Sequence, residues 1–213
     1  MENNLLNLDE KFLKKHQAEQ HIAAGDELVL LVPKENVREL LRDLRDDTNY
    51  LYSMLISICG VDYPHLEKRF EVVYNLLSLK FNQRIRIKVK LSETEEVPTI
   101  QDLFSAANWY EREIFDMYGV KFTDSSDLRR ILTDYNFSYH PLRKDFPLTG
   151  YEEVRYDIEE KQVIYEPVKL DQEYRNFDYL SPWEGQDAAQ LLPGDEKALA
   201  NISKEKEQSE HRE

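Results

Sequence analysis

The chain has 213 residues and carries 28 Lys and Arg against 42 Asp and Glu, a formal net charge of -14. That length suits one sizeable domain with appendages, and the acidic balance disfavours nucleic acid or anionic lipid as partners drawn by the overall field. The single cysteine, Cys59, excludes a disulfide framework and any cysteine-held cluster or zinc site supplied by this chain alone. No apolar run approaches a membrane span; the longest cover 28–32 and 54–59. The opening MENNLLNLDEKF lacks the basic, apolar and small-residue zones of a signal peptide, and its acids argue against a transit sequence. The expectation is a protein made on the side of a membrane where it works.

Residues 9–23 are expected to form a helix, with Leu13 among few apolar anchors. Residues 27–32 read as a short strand stopped by Pro33. An amphipathic helix follows over 35–46, where Val37, Leu40, Leu41 and Leu44 recur at helical spacing. Residues 50–59 read as a buried strand, which makes Cys59 a buried, inert thiol. Gly60, Val61, Asp62, Tyr63 and Pro64 are turn chemistry, and 69–79 is a second long strand. After a turn at Phe81, Asn82 and Gln83, Ile85, Ile87, Val89 and Leu91 alternate with Arg84, Arg86, Lys88 and Lys90. Strict period-two alternation turns one face to a core. The four cations then line a solvated outer face or a guarded edge strand, or else a docking face for an acidic partner.

Thr99, Ile100, Gln101 and Asp102 resemble a capping box, which predicts a helix running to Tyr118 with Gly119 as its stop. Ile100, Leu103, Phe104, Ala107, Ile114 and Tyr118 share one face of it. Glu111 falls in the middle of that face, so it must be paired or protonated. It reads as a core acid tied to an arginine or as a proton-handling group. Trp109 falls on the opposite face with Asp102, Arg112, Glu113 and Asp116. A Trp there needs a cover, from another subunit or from a returning C-terminal segment.

Beyond Gly119 the chain stays irregular for roughly thirty residues, which inside a compact domain signals function or disorder. Its Tyr, Phe, Leu and Arg content is wrong for disorder. The pairs Arg129–Arg130 and Arg143–Lys144 flank Tyr135, Phe137, Tyr139 and His140. They can knit the loop to Glu111, Glu113 or Asp116 through forked hydrogen bonds, dock a neighbouring chain, or bind RNA or a phosphate-bearing ligand. The last is weakest, because acids interleave the cations and no basic stripe forms. His140 has no second His or Cys at ligand spacing, so it reads as a hydrogen-bonded structural group. No nucleophile elbow, phosphate loop or dinucleotide fingerprint is present.

Residues 146–185 are punctuated by Pro147, Gly150, Pro167, Pro182 and Gly185 and studded with aromatics up to Trp183. Val154, Arg155 and Tyr156 can pair with Val163, Ile164 and Tyr165 as a hairpin. The rest reads as an arm that either folds back or wraps a partner. The fold expected is α+β, a mixed or antiparallel sheet packed with helices, followed by a long extended C-terminal arm. Its parts are an α+β domain at 1–122, a loop and partner-wrapping arm at 123–185, and a charged, flexible tail at 186–213, in which 198–207 can form a marginal helix.

Three blocks carry a resemblance: E-R-E-I-F-D-M-Y-G-V at 111–120, D-L-R-R-I-L-T-D-Y at 127–135, and H-P-L-R-K-D-F-P-L-T-G-Y at 140–151. Together with V-R-Y-D, V-I-Y-E-P-V and F-D-Y-L-S-P-W-E-G further on, they resemble the 30 kDa subunit of the proton-translocating NADH:quinone oxidoreductase, respiratory complex I. Ser125–Ser126 stand where that family usually has His-Pro, and Asn136 and Tyr139 where it usually has glycines. The resemblance implies a structural subunit of the peripheral arm, in the quinone module, with no catalytic, cofactor-binding or metal-binding residue of its own. FMN and iron–sulfur clusters then belong to the whole complex. The partners implied are the large subunit of the quinone pocket and the subunit holding the terminal cluster. Membrane association is then indirect, on the cytoplasmic side of a bacterial inner membrane or the matrix side if organelle-encoded. The residues expected at partner contacts or in support of them are Trp109, Glu111, Arg112, Glu113, Asp116, Arg129, Arg130, His140, Arg143, Lys144 and Trp183. The equivalent subunit of a related membrane-bound hydrogenase or ferredoxin-dependent complex, or a free-standing RNA- or protein-binding module, are the alternatives.

Overall fold

In the computed structural model, residues 8–23, 27–170 and 172 are described. Helix α1 (Glu10–His16) ends at Gln17, whose left-handed backbone (φ 51°) turns the chain into strand β1 (Glu19–Ala23). The helix expected over 9–23 is therefore only half a helix. Its second part pairs antiparallel with β2 (Glu27–Leu31), a tertiary gain that few local apolar residues announce. Helix α2 (Val37–Asp46) buries Val37, Leu40, Leu41 and Leu44, the face its spacing predicts.

Strands β3 (Met54–Asp62), β4 (Phe70–Ser78) and β5 (Gln83–Leu91) complete a five-stranded sheet of order β1-β2-β5-β4-β3. Only the β2–β5 pairing is parallel, so the sheet is mixed. The register sets Leu30 and Tyr74 on either side of Ile87, and Leu28 and Leu76 on either side of Ile85. These residues, with Val72, Val89, Leu91 and the apolar face of α2, form one core. Burial of such groups stabilises by about 1.5–3 kcal/mol per large side chain, and it is the main force holding this half of the chain.

Two expectations change here. β5 lies inside the sheet and is no edge strand. On its outer face Arg86 pairs with Glu27 at 2.8 Å and Lys88 with Glu71 at 2.9 Å. Cys59 is exposed, not buried. β3 runs on through Gly60 to Asp62, where the residue types predict a turn. With the register irregularity between Leu55 and Ser57, alternation buries Leu55 and Ile58 and turns Cys59 outward.

A short parallel pair, β6 (Glu96–Pro98) and β7 (Lys121–Thr123), brackets helix α3 (Ala107–Tyr118). The helix starts later than its capping signal predicts. Residues 99–106 form turns, two of whose carbonyls are taken by α2, with Arg38 donating to the Thr99 oxygen and Arg45 to that of Leu103. Asp102 pairs with Arg38 and does not close a capping box. Of the residues predicted to share its apolar face, Ala107 and Ile114 are buried on α3 and Tyr118 is half-buried, while Ile100, Leu103 and Phe104 are buried from the preceding turns. α3 lies against β3, and Gly60 is what lets it come close, since a Cβ there would sit 2.5 Å from the Tyr118 ring.

Past β7 the chain forms the expected irregular loop and then the expected hairpin, β8 (Glu152–Asp157) with β9 (Gln162–Pro167), Val154 opposite Tyr165 and Tyr156 opposite Val163. Asn136 and Tyr139 keep ordinary negative φ, so the loop needs no glycine there. Contacts divide the chain into one unit at Met1–Val168 and a second at Lys169–Glu213. Trp183, the arm beyond 172 and the tail at 186–213 lie outside the described residues.

Candidate functional site

An α-helix leaves its last carbonyls without partners and its C-terminal end partly negative. α3 has no basic residue in its last turn and places Asp116 there. Both facts make that end a strong sink for cations and N–H groups, and the loop supplies them. His140 Nδ1 lies 3.0 Å from the Asp116 carbonyl, the Leu142 N–H donates to that of Met117 at 3.1 Å, and Arg143 Nε donates to that of Tyr118 at 2.6 Å. Gly119 sits under this cap with φ 79°, and a Cβ on it would come within 2.6 Å of both His140 and Arg143.

The Asp116 side chain, fully buried, is the centre of the site. One carboxylate oxygen accepts the successive backbone N–H groups of Ile131, Leu132 and Thr133 at 2.9, 2.7 and 3.1 Å. The other accepts from Arg130 at 2.8 Å and from the Thr133 hydroxyl. Burial alone pushes this carboxyl up, but the bonds from Thr133, Leu132, Ile131 and Arg130 outweigh it and hold the pKa at about 2. The loop is thus wrapped on a fixed negative charge.

A second anchor lies outside the residues that the sequence points to. Asp62, at the end of β3, takes a two-pronged bond from Arg69 at 2.7 and 2.9 Å and accepts the Lys144 backbone N–H at 2.7 Å. Arg69 also reaches Asp145 at 3.0 Å, and Arg143 reaches Glu93 at 2.9 Å. The Arg69 bond holds the Asp62 carboxyl below its ordinary range. A signal for it does exist: an acid ends β3 and an arginine immediately precedes β4, so the antiparallel pairing of Asp62 with Phe70 brings the two charges close.

The sequence-predicted residues separate into two groups. Asp116, Arg130, His140 and Arg143 meet at the end of α3. Lys144 joins through its backbone, while its side chain is exposed. Arg112 donates to the Arg129 carbonyl at 3.0 Å and lies 5.0 Å from the Trp109 ring. Arg129 itself is exposed beside Asp127, whose carboxyl it holds at about 2. Trp109 is 61% exposed and Glu113 is exposed.

Glu111 stands apart, and the arginine expected beside it is replaced by neutral donors. It is buried and accepts from the Thr99 hydroxyl at 2.6 Å, the Ile100 N–H at 2.8 Å and Gln101 Nε2 at 3.0 Å. Burial raises its pKa; these neutral donors lower it without cancelling the rise. The carboxylate serves as the anchor for the turn at 99–101, which explains why the helix does not begin there.

The loop's outward side is apolar. Leu132, Tyr135, Leu142 and Leu148 are exposed, and Phe137, Tyr139, Phe146 and Tyr151 form a ring cluster with centroids 4.7–6.0 Å apart. The hairpin adds Val154, Tyr156, Val163 and Ile158, the last 81% exposed. Among the described residues no three His, Cys, Asp or Glu side chains gather as a metal site, and no helix is long and apolar enough to cross a membrane. The chemistry on offer is adhesion: a rigidly held loop with its apolar groups facing out.

The family model and the sequence relatives agree on one relationship. Residues 30–152 match the family described as respiratory-chain NADH dehydrogenase, 30 Kd subunit. The chain is 60% identical over 172 residues to the C subunit of the NADH-quinone oxidoreductase of Hyphomonas neptunium, which is 81% of this chain and 84% of that one. It is 56% identical over 180 residues to the corresponding C subunit of Rhodospirillum rubrum, 84% of each chain. Among solved structures, a chain of the membrane-bound sulfane sulfur reductase (MBS), an archaeal respiratory membrane complex, is similar with a TM-score of 0.56 and 28% identity, covering 65% of this chain and 82% of that chain.

Proposed function

The chain belongs to the 30 kDa subunit family of the respiratory-chain NADH dehydrogenase, and from that premise we propose that its work is to hold neighbouring subunits in register through the outward face of 124–168. It is a structural subunit of NADH-quinone oxidoreductase, in the peripheral arm of complex I. The observation that carries the reading is the pairing of a loop fixed by Asp116 and Asp62 with an outer surface of exposed Leu, Val, Ile and Tyr. Exposed apolar groups on that scale mark a surface meant for burial.

In this reading the partners are the large subunit of the quinone pocket and the subunit holding the terminal cluster, within the quinone module. Membrane association is indirect, on the cytoplasmic face in a bacterium or the matrix face in an organelle. The complex uses FMN and iron–sulfur clusters, and on this reading its other subunits hold them. Clusters need several thiolates, and one cysteine, Cys59, does not fit that need. Electron transfer then depends on this chain only through geometry.

Ending the chain at Gly150 tests the reading in cells that make the complex. The expected result is a folded first domain that no longer joins the complex. A truncated chain that co-purifies with the complex at the full-length level would refute it.

A further inference from the structure

Between the loop and the hairpin lies a groove of about 280 Å³. Its walls are aromatic, with Phe137, Tyr139, Tyr151 and Tyr165 among the lining residues, and its acids are Asp134 and Glu152. Among the described residues that line it, none is basic. The Tyr165 hydroxyl donates to Asp134 at 2.8 Å, which ties the hairpin to the loop and leaves the second Asp134 oxygen and the exposed Glu152 carboxylate at the groove. Tyr139 and Tyr151 stack at 4.7 Å with a 39° tilt and are both partly exposed. The cluster already receives one cation, since the Arg130 guanidinium lies 5.8 Å from the Phe137 ring.

Ring faces attract cations, and carboxylates beside them add charge and hydrogen-bond acceptors. We propose that this groove is the acceptor for an arginine or lysine side chain of a neighbouring subunit. It deepens the interface reading above and rests on it. A protein side chain is favoured over a free cation because the groove is continuous with the exposed apolar hairpin and loop, Val154 and Leu132 being part of its lining. The surrounding surface excludes water around the pair once a partner covers it, which is the setting in which a charged anchor dominates an interface. Acidic side chains are repelled by the two carboxylates, and neutral donors gain a hydrogen bond without the charge attraction, so the groove favours a cation over both.

Competition within the assembled enzyme tests this. Wild-type and variant chains carrying different tags are expressed together, and the ratio found in the purified complex gives their relative affinity. Asp134→Asn with Glu152→Gln, and separately Tyr139→Leu, are expected to be outcompeted by roughly three- to thirtyfold, the span of cation–π and ion-pair strengths. Tyr139→Phe, which keeps the ring, should compete nearly equally. Should the double variant unfold, Glu152→Gln alone leaves the Asp134–Tyr165 bond intact and is expected to lose by a smaller factor. Equal incorporation of the charge-neutral variants would overturn the proposal. That holds even if Tyr139→Leu is outcompeted, because a groove that needs its ring but not its charges is filled by an apolar side chain. A chain ending at Gly150 that competes equally would instead overturn the interface reading beneath it.

Discussion

The described residues up to Thr123 and the segment 124–168 are built on different plans. In the first, apolar side chains from β2, β4, β5 and α2 fill the interior, most charges lie outside, and the buried acids Asp62, Glu111 and Asp116 serve as anchors. In the second, Arg130, Arg143 and backbone N–H groups point inward, onto Asp116, Asp62 and the end of α3, and many of the large apolar groups lie outside. A segment that commits its polar groups to its own domain is held rigid without a core. Its hydrophobic groups remain for a surface belonging to another molecule, and a rigid presenter loses less entropy on docking.

The contrast is broken most severely at Asp116. Asp116→Ala leaves Arg130 and three adjacent N–H groups without their acceptor, which costs about 3–5 kcal/mol as for other broken buried pairs. Denaturant titration of the isolated chain and the level of assembled complex should both fall, while turnover per assembled complex stays near normal. Collapsed turnover with assembly intact would make the loop catalytic.

The adjacent arginines give a sharper, smaller contrast. Arg130 is engaged with Asp116 and nearly buried, whereas Arg129 is exposed beside Asp127. Arg130→Ala should cost about 2–3 kcal/mol and Arg129→Ala within about 1 kcal/mol. Equal losses in denaturant titration would contradict the assignment.

Acid should loosen the loop before it melts the sheet. The His140 pKa is lowered by burial, opposed by its bond to the Asp116 carbonyl and aided by Arg143 and Arg130. The unfolded loop therefore binds a proton from 6.5 downward that the folded loop refuses until the lower value, and stability falls as pH falls through that window. Asp116 adds stability that is full above 3.8 and lost as pH falls through about 2. Glu111 has the opposite sign: its folded pKa lies above 4.5, so its contribution is full below 4.5 and is lost as pH rises through the raised value. His140→Asn keeps a donor for the Asp116 carbonyl and removes the titration. Protection of the Ile131, Leu132 and Thr133 amides, corrected for the intrinsic pH dependence of exchange, should then fall less as pH drops below 6.5; an unchanged profile would count against His140.

The smallest effect on folding belongs to Trp109, whose ring meets Arg112 but is otherwise at the surface. Trp109→Ala should shift the stability of the isolated chain by no more than about 0.5 kcal/mol, yet reduce assembly if a partner covers the ring. A large loss of intrinsic stability would place Trp109 with the first plan instead.

Sheet and α2 are legible in the sequence because period-two and period-3.6 patterns are local. β1 is not, because it is held by its pairing with β2 and its own sequence, EQHIA, has little apolar content. The start of α3 is hidden for a different reason. Thr99 carries a local helix signal, but the carboxylate of Glu111 claims the Thr99 hydroxyl and the Ile100 N–H for a turn. Loop arginines are recognisable as a group, though only the structure separates Arg130 and Arg143, turned inward, from Arg129, turned outward. By helical spacing Asp116 belongs to the polar face. Its place in the last turn of a helix, where an acid opposes the dipole, is the sign that cations gather around it.

The most direct test compares the isolated chain with the assembled complex by hydrogen exchange and oxidative side-chain labelling. The account predicts slow exchange at Ile131, Leu132 and Thr133 in both, with Trp109, Tyr135, Tyr156 and Tyr165 labelled in the isolated chain and protected in the complex. Exchange of those amides at unfolded-chain rates in the isolated protein, or equal labelling of the four aromatics in both, would contradict it.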